Sequence, residues 1–500
     1  MIISPSKKLF AHGGVYGISR VANRSIAFIL IPLYAHHLGP DGYGVIQIMG
    51  MVAAVLGLIF LQGLHGAWYR LRFDLTTSKQ VRCFETTIQW YLGLSIVVGL
   101  GVLSLFGEPL ARLITPGIPY YPMGLLTALT AGATVFVLLY ERKLQAAQRP
   151  VAFAVFSAIR TALTLGAIVW FVAGLDRGAR GKIEAGALSM AVLAVASLVL
   201  LGPGSPRMVS GASLRRSLSY GLPLVPHNLA GLTNNLIDRL LVNAKLGLGL
   251  TGVYAMGYQI AGLGLVLAMA MNQAFTPLFI RSVKDAEEAR ERGDESAAAS
   301  ALVALAQSAL VMVAAIGCVM LCITAAGREV LVLLTTEEFA DSWRIIAPVA
   351  AGIVAWSCYA VFTQSITYNV KRVRLLSIIT VLAAFVNIAA NLVLIPRIGI
   401  MGAAWATPIS NTVMAALAVV FGQAATPLPY RWRRWAMVLC CCVVGLAGMW
   451  VLDSRVDGLL LRVLLKAVCG IVAVCVVARS AGVTPGVLGR LWQSRGNMTC

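Results

Sequence analysis

Apolar runs of the length that crosses a bilayer, about 20 residues, follow one another along this chain with short polar connections between them. They fall at 13–35, 43–66, 86–106, 120–140, 151–173, 184–202, 219–241, 251–280, 299–324, 343–366, 375–395, 401–423, 435–452 and 461–479. This pattern predicts an all-α polytopic membrane protein of about 14 transmembrane helices. One stretch, 220–260, departs from the plain apolar pattern. It carries Pro223, Pro226, His227, Asn228, Asn234, Asn235, Asp238 and Arg239. At 3.6 residues per turn, Asn228, Gly231, Asn235, Asp238 and Arg239 gather on one side. Polar groups in a membrane helix face protein or water rather than lipid, so span 7 is expected to line a wet cavity.

Composition agrees with the spans. The 500 residues are 59% hydrophobic and 12% charged, against about 25% charged in soluble domains. The net charge of +20 first suggests nucleic acid, but its placement points elsewhere. With a cytoplasmic N-terminus, inside segments hold 25 of the 40 Lys and Arg. They include Lys7 and Lys8, then Arg70, Arg72, Lys79 and Arg82, and later Arg431, Arg433 and Arg434. Alternation of this kind follows the positive-inside rule, and topology with anionic lipid accounts for the charge. Both termini are expected in the cytoplasm. Lys7 and Lys8 precede an apolar run that is long and contains Arg20 and Arg24, so an uncleaved first span is expected rather than a signal peptide. The ten cysteines lie mostly in apolar runs, without histidines at zinc spacing. They predict neither disulfides nor a metal site.

The chain also repeats itself. A shift of 208 residues places Lys7 and Lys8 on Arg215 and Arg216, Gly13 on Gly221, Leu38 and Gly39 on Leu246 and Gly247, and Gly44 and Val45 on Gly252 and Val253. Six spans separate the copies, so the copies run parallel. Two parallel six-helix lobes around a central cavity are a transporter plan. The expected division is 1–205 for spans 1–6, 206–423 for spans 7–12, and 424–500 for two further helices and a cytoplasmic tail. The repeat also disposes of the G-x-G-x-x-G at Gly247, Gly249 and Gly252. No βαβ context surrounds it, so it reads as a turn between membrane helices, not a dinucleotide loop.

Arg20 and Arg24 share one face of span 1. An arginine at the bilayer centre costs about 2.5–3.5 kcal/mol, so both are expected to face the interior, with snorkelling to the cytoplasmic interface as the alternative for Arg20. Guanidinium forks suit phosphate oxygens, which favours an anionic, phosphate-bearing cargo. Asn228 falls opposite Arg20 in the repeat, and Asn235 lies further along the same face. Asp238 and Arg239 form either a structural ion pair or a coupling or gating site, and Pro223 and Pro226 are expected to bend span 7. Further candidates are Arg160, Arg344, and Asn272 with Gln273 and Pro277. Arg70 and Asp74 read as a cytoplasmic rim, and Asn387 with Asn391 as interhelical glue. There is no G-x-S-x-G and no H-E-x-x-H, and no P-loop. The chain reads as a transporter, not an enzyme, with no cofactor.

The sequence resembles the bacterial polysaccharide flippases of the multidrug/oligosaccharidyl-lipid/polysaccharide exporter superfamily. The likeness rests on L-G-P-D-G-Y-G (Leu38 to Gly44) and Y-G-L-P-L-V-P (Tyr220 to Pro226). It continues with the Asp238-Arg239 pair, L-G-x-x-x-x-G-V-Y (Leu246 to Tyr254), N-Q-A-F-T-P-L-F (Asn272 to Phe279) and L-I-P-R-I-G-I-M-G-A-A-W-A-T (Leu394 to Thr407). It spans residues 5 to 420. The resemblance implies a two-lobe, twelve-helix fold, here with two extra helices. It also implies a flippase in the bacterial cytoplasmic membrane. The cargo would be an undecaprenyl-diphosphate-linked oligosaccharide, with Arg24 and Arg20 on the diphosphate and polysaccharide polymerase or export proteins as partners. Two alternatives lie within the superfamily: a lipid II flippase and a multidrug/cation antiporter. A membrane polysaccharide polymerase or ligase is the alternative of another class.

Overall fold

In the computed structural model the chain is described over residues 28–202, 204–369, 372–456 and 458–482, without the side chains of His227 and Asn235. The described residues form fifteen α-helices and two compact units, Met1–Ala255 and Met256–Cys500. Helices α1 to α8 belong to the first unit: α1 Ile31–Leu61, α2 Leu64–Leu71, α3 Ser78–Ile114, α4 Leu125–Ala146, α5 Pro150–Val169, α6 Gly178–Leu201, α7 Gly211–Gly221 and α8 Leu224–Leu246. Helix α9, Leu248–Glu291, begins in the first unit and continues into the second. The second unit continues with α10 Glu295–Leu334, α11 Ile346–Tyr368, α12 Arg374–Ile398, α13 Ile400–Ala425, α14 Trp432–Arg455 and α15 Leu459–Ser480.

Twelve of the described helical stretches are long and apolar enough to cross a membrane. They coincide with twelve of the fourteen predicted spans. The seventh span is α8, a helix whose polar load keeps it out of the twelve, and most of the first lies outside the described residues. The protein is thus an all-α, multi-pass membrane protein.

Local chemistry sets the helix ends. Thr77 caps α3 in a reciprocal box: its hydroxyl accepts from the Gln80 N–H, and the Gln80 side chain accepts from the Thr77 N–H, so orphan donors at that terminus are satisfied. Asp294 caps α10 by accepting from the Ala297 N–H at 2.9 Å. That bond holds the exposed Asp294 carboxyl below the usual carboxylate range. The acidic stretch before it is helical to Glu291 and turns at Gly293.

In the first unit the core gathers Phe60, Leu64, Trp68, Ile88, Leu92, Val135 and Leu139 from α1 to α4. In the second, α11 is the central helix, and its side chains are buried along most of its length. Gly352 lets α13 approach: a Cβ there would lie 2.9 Å from the Thr407 methyl. Asn411 of α13 donates to the Gly352 carbonyl at 3.0 Å. Asn387 donates to the Ser410 hydroxyl at 3.2 Å, joining α12 to α13, and Asn391 donates back to Asn387. Small residues and buried amides are the means by which helices associate in lipid, where apolar burial gives no driving force between them.

The repeat is visible in the backbone. Helix α1 is broken at Gly39 (φ 59, ψ −177), and α8 ends at its repeat partner Gly247 (φ 88, ψ 177). Both angles lie in a region that glycine reaches freely. Five residues on, the partners Gly44 and Gly252 cross each other. A Cβ on Gly252 would meet the Gly44 N at 3.1 Å, and one on Gly44 would meet the Gly252 N at 3.3 Å.

Candidate functional site

The polar residues of α8 do not share one environment. Asp238 and Arg239 are buried, at 4% and 6% exposure. Asn228 is half-buried and Pro226 exposed, while the Asn235 side chain is outside the described residues. Pro223 marks the break between α7 and α8, as its missing N–H and fixed φ lead one to expect. Arg20 and Arg24 also lie outside the described residues.

Asp238 sits in a defined polar nest inside the first unit. Its Oδ1 accepts from the Arg239 N–H at 2.9 Å and lies 3.6 Å from the Arg239 guanidinium. Its Oδ2 accepts from the hydroxyl of Tyr254, a residue of α9 that is fully buried. The turn at Gly247 folds α9 back on α8 and so brings Tyr254, sixteen positions on, to the carboxylate. Tyr43 of α1 is within electrostatic reach of Arg239 and lies beside Tyr34, with ring centroids 6.1 Å apart. Asn243, one turn beyond Arg239, donates to the Pro116 carbonyl at 3.1 Å and pins the end of α8. The sequence pointed to Asp238 and Arg239 but not to Tyr43 or Tyr254 as their neighbours. The signals were the tyrosine of the Leu38–Gly44 motif and the one closing the Leu246–Tyr254 motif.

Most of the other sequence candidates have local partners. Arg160 of α5 lies 3.2 Å from Glu141 of α4. Arg344 lies 3.2 Å from Asp341 in the 3-10 turn before α11, at a span end. Asn272 of α9 accepts from the Gln364 amide at 3.1 Å; Gln273 and Pro277 are exposed on the same helix. At the end of α2, Asp74 accepts from Arg70 at 2.7 Å and from Arg216 of α7 at 2.8 Å. The Arg70 bond holds the exposed Asp74 carboxyl below its usual range.

The second unit contains an apolar groove of about 840 Å³ between α11, α13 and α14, lined by Cys358, Phe362, Trp405, Trp435, Leu446 and Trp450 among others. Its walls are aromatic and aliphatic. It suits a hydrocarbon chain and offers little to a polar ligand.

Residues 33–331, more than half of the chain, match the family described as polysaccharide biosynthesis protein. No curated protein matches the sequence. Solved structures do. An inward-facing multidrug resistance MATE family transporter of the MOP superfamily is similar over 82% of this chain and 97% of its own, at 14% identity and a TM-score of 0.63. The lipid II flippase MurJ, in an inward closed conformation, is similar over 92% of this chain and 97% of its own, at 12% identity and a TM-score of 0.66. A MATE transporter of Vibrio cholerae is similar over 84% and 96%, at 15% identity and a TM-score of 0.52. At these identities the likeness is one of fold, the transporter fold that these proteins share. Matched over residues 33–331 and folded in this way, the chain belongs to the polysaccharide biosynthesis protein family.

Proposed function

We propose that the protein is a flippase that carries an undecaprenyl-diphosphate-linked oligosaccharide from the cytoplasmic to the outer face of the bacterial cytoplasmic membrane by alternating access. It would supply repeat units for exopolysaccharide, capsule or O-antigen synthesis. Membership of the polysaccharide family carries this reading, and the fold shared with a lipid II flippase supports it. The apolar groove in the second unit adds support for a cargo with a long hydrocarbon part. In this reading 1–205 and 206–423 are the two lobes, although α7 and α8 cluster with the first unit in this structure. Arg20 and Arg24 hold the diphosphate, and Asn228 and Asn235 add polar contacts. Asp238, Arg239 and Pro226 form the coupling or gating element.

The function is tested by deleting the gene and analysing lipid-linked intermediates. A flippase deletion accumulates complete repeat units on the cytoplasmic face. Single units left on the outer face would indicate a polymerase instead. The likeness to MurJ, which covers more of this chain than that to the MATE proteins, favours lipid II as the second reading. Accumulated lipid II in the deletion strain would establish it. Arg24→Ala is expected to cut surface polysaccharide at least tenfold at normal protein level, and Arg24→Lys less, because an ammonium replaces the charge but not the bidentate fork. Full output from Arg24→Ala would end the assignment.

A further inference from the structure

Three charged side chains, Asp453, Arg462 and Lys466, are buried together in the second unit, with a fourth, Glu329, half-buried beside them. Helix α10 contributes Glu329, the last turn of α14 contributes Asp453, and α15 contributes Arg462 and Lys466, one turn apart. The Lys466 ammonium lies 2.7 Å from Glu329 and 2.9 Å from Asp453. The Arg462 guanidinium lies 3.2 Å from Glu329 and 3.8 Å from Asp453. Each cation faces both anions, and the charges cancel. Lys466 is 2% exposed and Arg462 and Asp453 5%. Arg462 also donates to the Val456 carbonyl at 3.3 Å, and Arg328 donates to the Asp453 carbonyl.

The surroundings make this set more than a local pairing. Leu460, Leu464, Val468 and Ile471 of α15 point outward, and apolar surface alone does not seat a helix against its neighbours in lipid. A buried charge deprived of its partner is strongly unfavourable, so the hairpin has one arrangement in which all four are satisfied. Asp453 stands one turn beyond Trp450, the last groove-lining residue of α14. At mid-length α14 crosses α10 closely: a Cβ on Gly317 would lie 2.4 Å from the Cys442 sulfur.

We propose that Glu329, Asp453, Arg462 and Lys466 form an intramembrane lock that seats the α14–α15 hairpin on α10 and so positions the α14 wall of the apolar groove. The second half rests on the reading of that groove as the place of the cargo's hydrocarbon part. The lock lies within one unit and joins groups far apart in sequence. Its signature is non-additivity. Removing Lys466 leaves Glu329 with Arg462 as its one ion-pair partner of the set, and Asp453 with Arg462 and the nearby Arg328. Removing one anion as well restores a neutral pair, Asp453 with Arg462.

The far end of α15 supplies a report on seating, because the Gln307 amide of α10 donates to the Ala481 carbonyl just past α15. In the full chain with its own cysteines replaced by alanine, Gln307→Cys and Ala481→Cys are oxidised in membranes, and the cross-linked fraction is read. Lys466→Gln is expected to lower that fraction at least fivefold. Lys466→Arg is expected to keep it. Glu329→Gln combined with Lys466→Gln is expected to return it to within twofold of the parent. If Lys466→Gln does not accumulate, Glu329→Gln alone takes its place as the unbalanced variant. A Lys466→Gln variant (or Glu329→Gln in its place) that cross-links like the parent, or a double variant as poor as that single, overturns the lock. Surface polysaccharide is read in the same strains. Output that falls and returns with the cross-link supports the positioning of the groove wall. Unchanged output in a strain that has lost the cross-link overturns that half, and the deletion phenotype, read separately, decides the flippase assignment.

Discussion

Gly252→Ala is expected to destabilise the protein by about 3 kcal/mol, at the upper end of what inserting a methyl group into a packed core costs. A Cβ at Gly252 would stand 1.9 Å from the Pro40 carbonyl oxygen. The atom in the way belongs to main chain and has no rotamer to escape into. Helices α1 and α9 would have to separate at their crossing, and the repeat partner has the same restriction, since a Cβ on Gly44 would lie 2.3 Å from the Leu248 carbonyl oxygen. Close glycine crossings of this kind are how membrane helices gain van der Waals contact. The check is the melting temperature of the purified protein in detergent, with Gly50→Ala as control. Gly50 lies on α1 as well, but a Cβ there meets nothing within 4 Å, so that variant should melt like the parent. Equal melting temperatures for the two variants would refute the account of the crossing.

The same pair shows what was legible in the sequence. The 208-residue shift aligned Gly39 with Gly247 and Gly44 with Gly252 from identity alone, and the backbone supplies the reason for each. Gly39 and Gly247 adopt φ values that favour glycine, and Gly44 and Gly252 meet where there is no room for a side chain. Spans were legible because a helix crossing lipid must be apolar along a length fixed by the bilayer. Partners were not legible, because they depend on which helices pack together. Arg160 was visible as an unusual charge, but its Glu141 partner lies on the preceding helix and nothing in the spacing announces it. Lys466 and Glu329 are 137 positions apart. The i,i+4 spacing of Arg462 and Lys466 in an apolar run is the same signal that drew attention to Arg20 and Arg24, and it would have identified half of the lock. In the sequence Tyr254 is only the end of a motif. Its relation to Asp238 depends on the turn at Gly247 reversing the chain.

Asp238 allows stability and transport to be separated by two substitutions of different kind. Asp238→Ala removes a carboxylate that faces Arg239 and accepts from Tyr254 in a buried setting, where breaking one side of a charge pair costs about 3–5 kcal/mol. Its melting temperature should fall steeply. Asp238→Asn also removes the charge that faces Arg239 but keeps an oxygen able to accept from Tyr254, so it should lose less stability than Asp238→Ala while remaining below the parent. Tyr254→Phe loses one hydrogen bond to a charged group, about 1.5–3 kcal/mol. Combined with Asp238→Ala it should cost less than the sum, because both act on one contact. If Asp238 only holds α8 to α9, surface polysaccharide will track stability across the three variants, and Asp238→Asn will work better than Asp238→Ala. If its charge takes part in coupling or gating, Asp238→Asn will fold and yet lose most of its output. We expect the second result. A buried carboxylate beside a guanidinium in α8 adds more to a mechanism that changes its state than to one that only needs a filled contact, since a tyrosine facing an amide would serve the latter with no charge to bury.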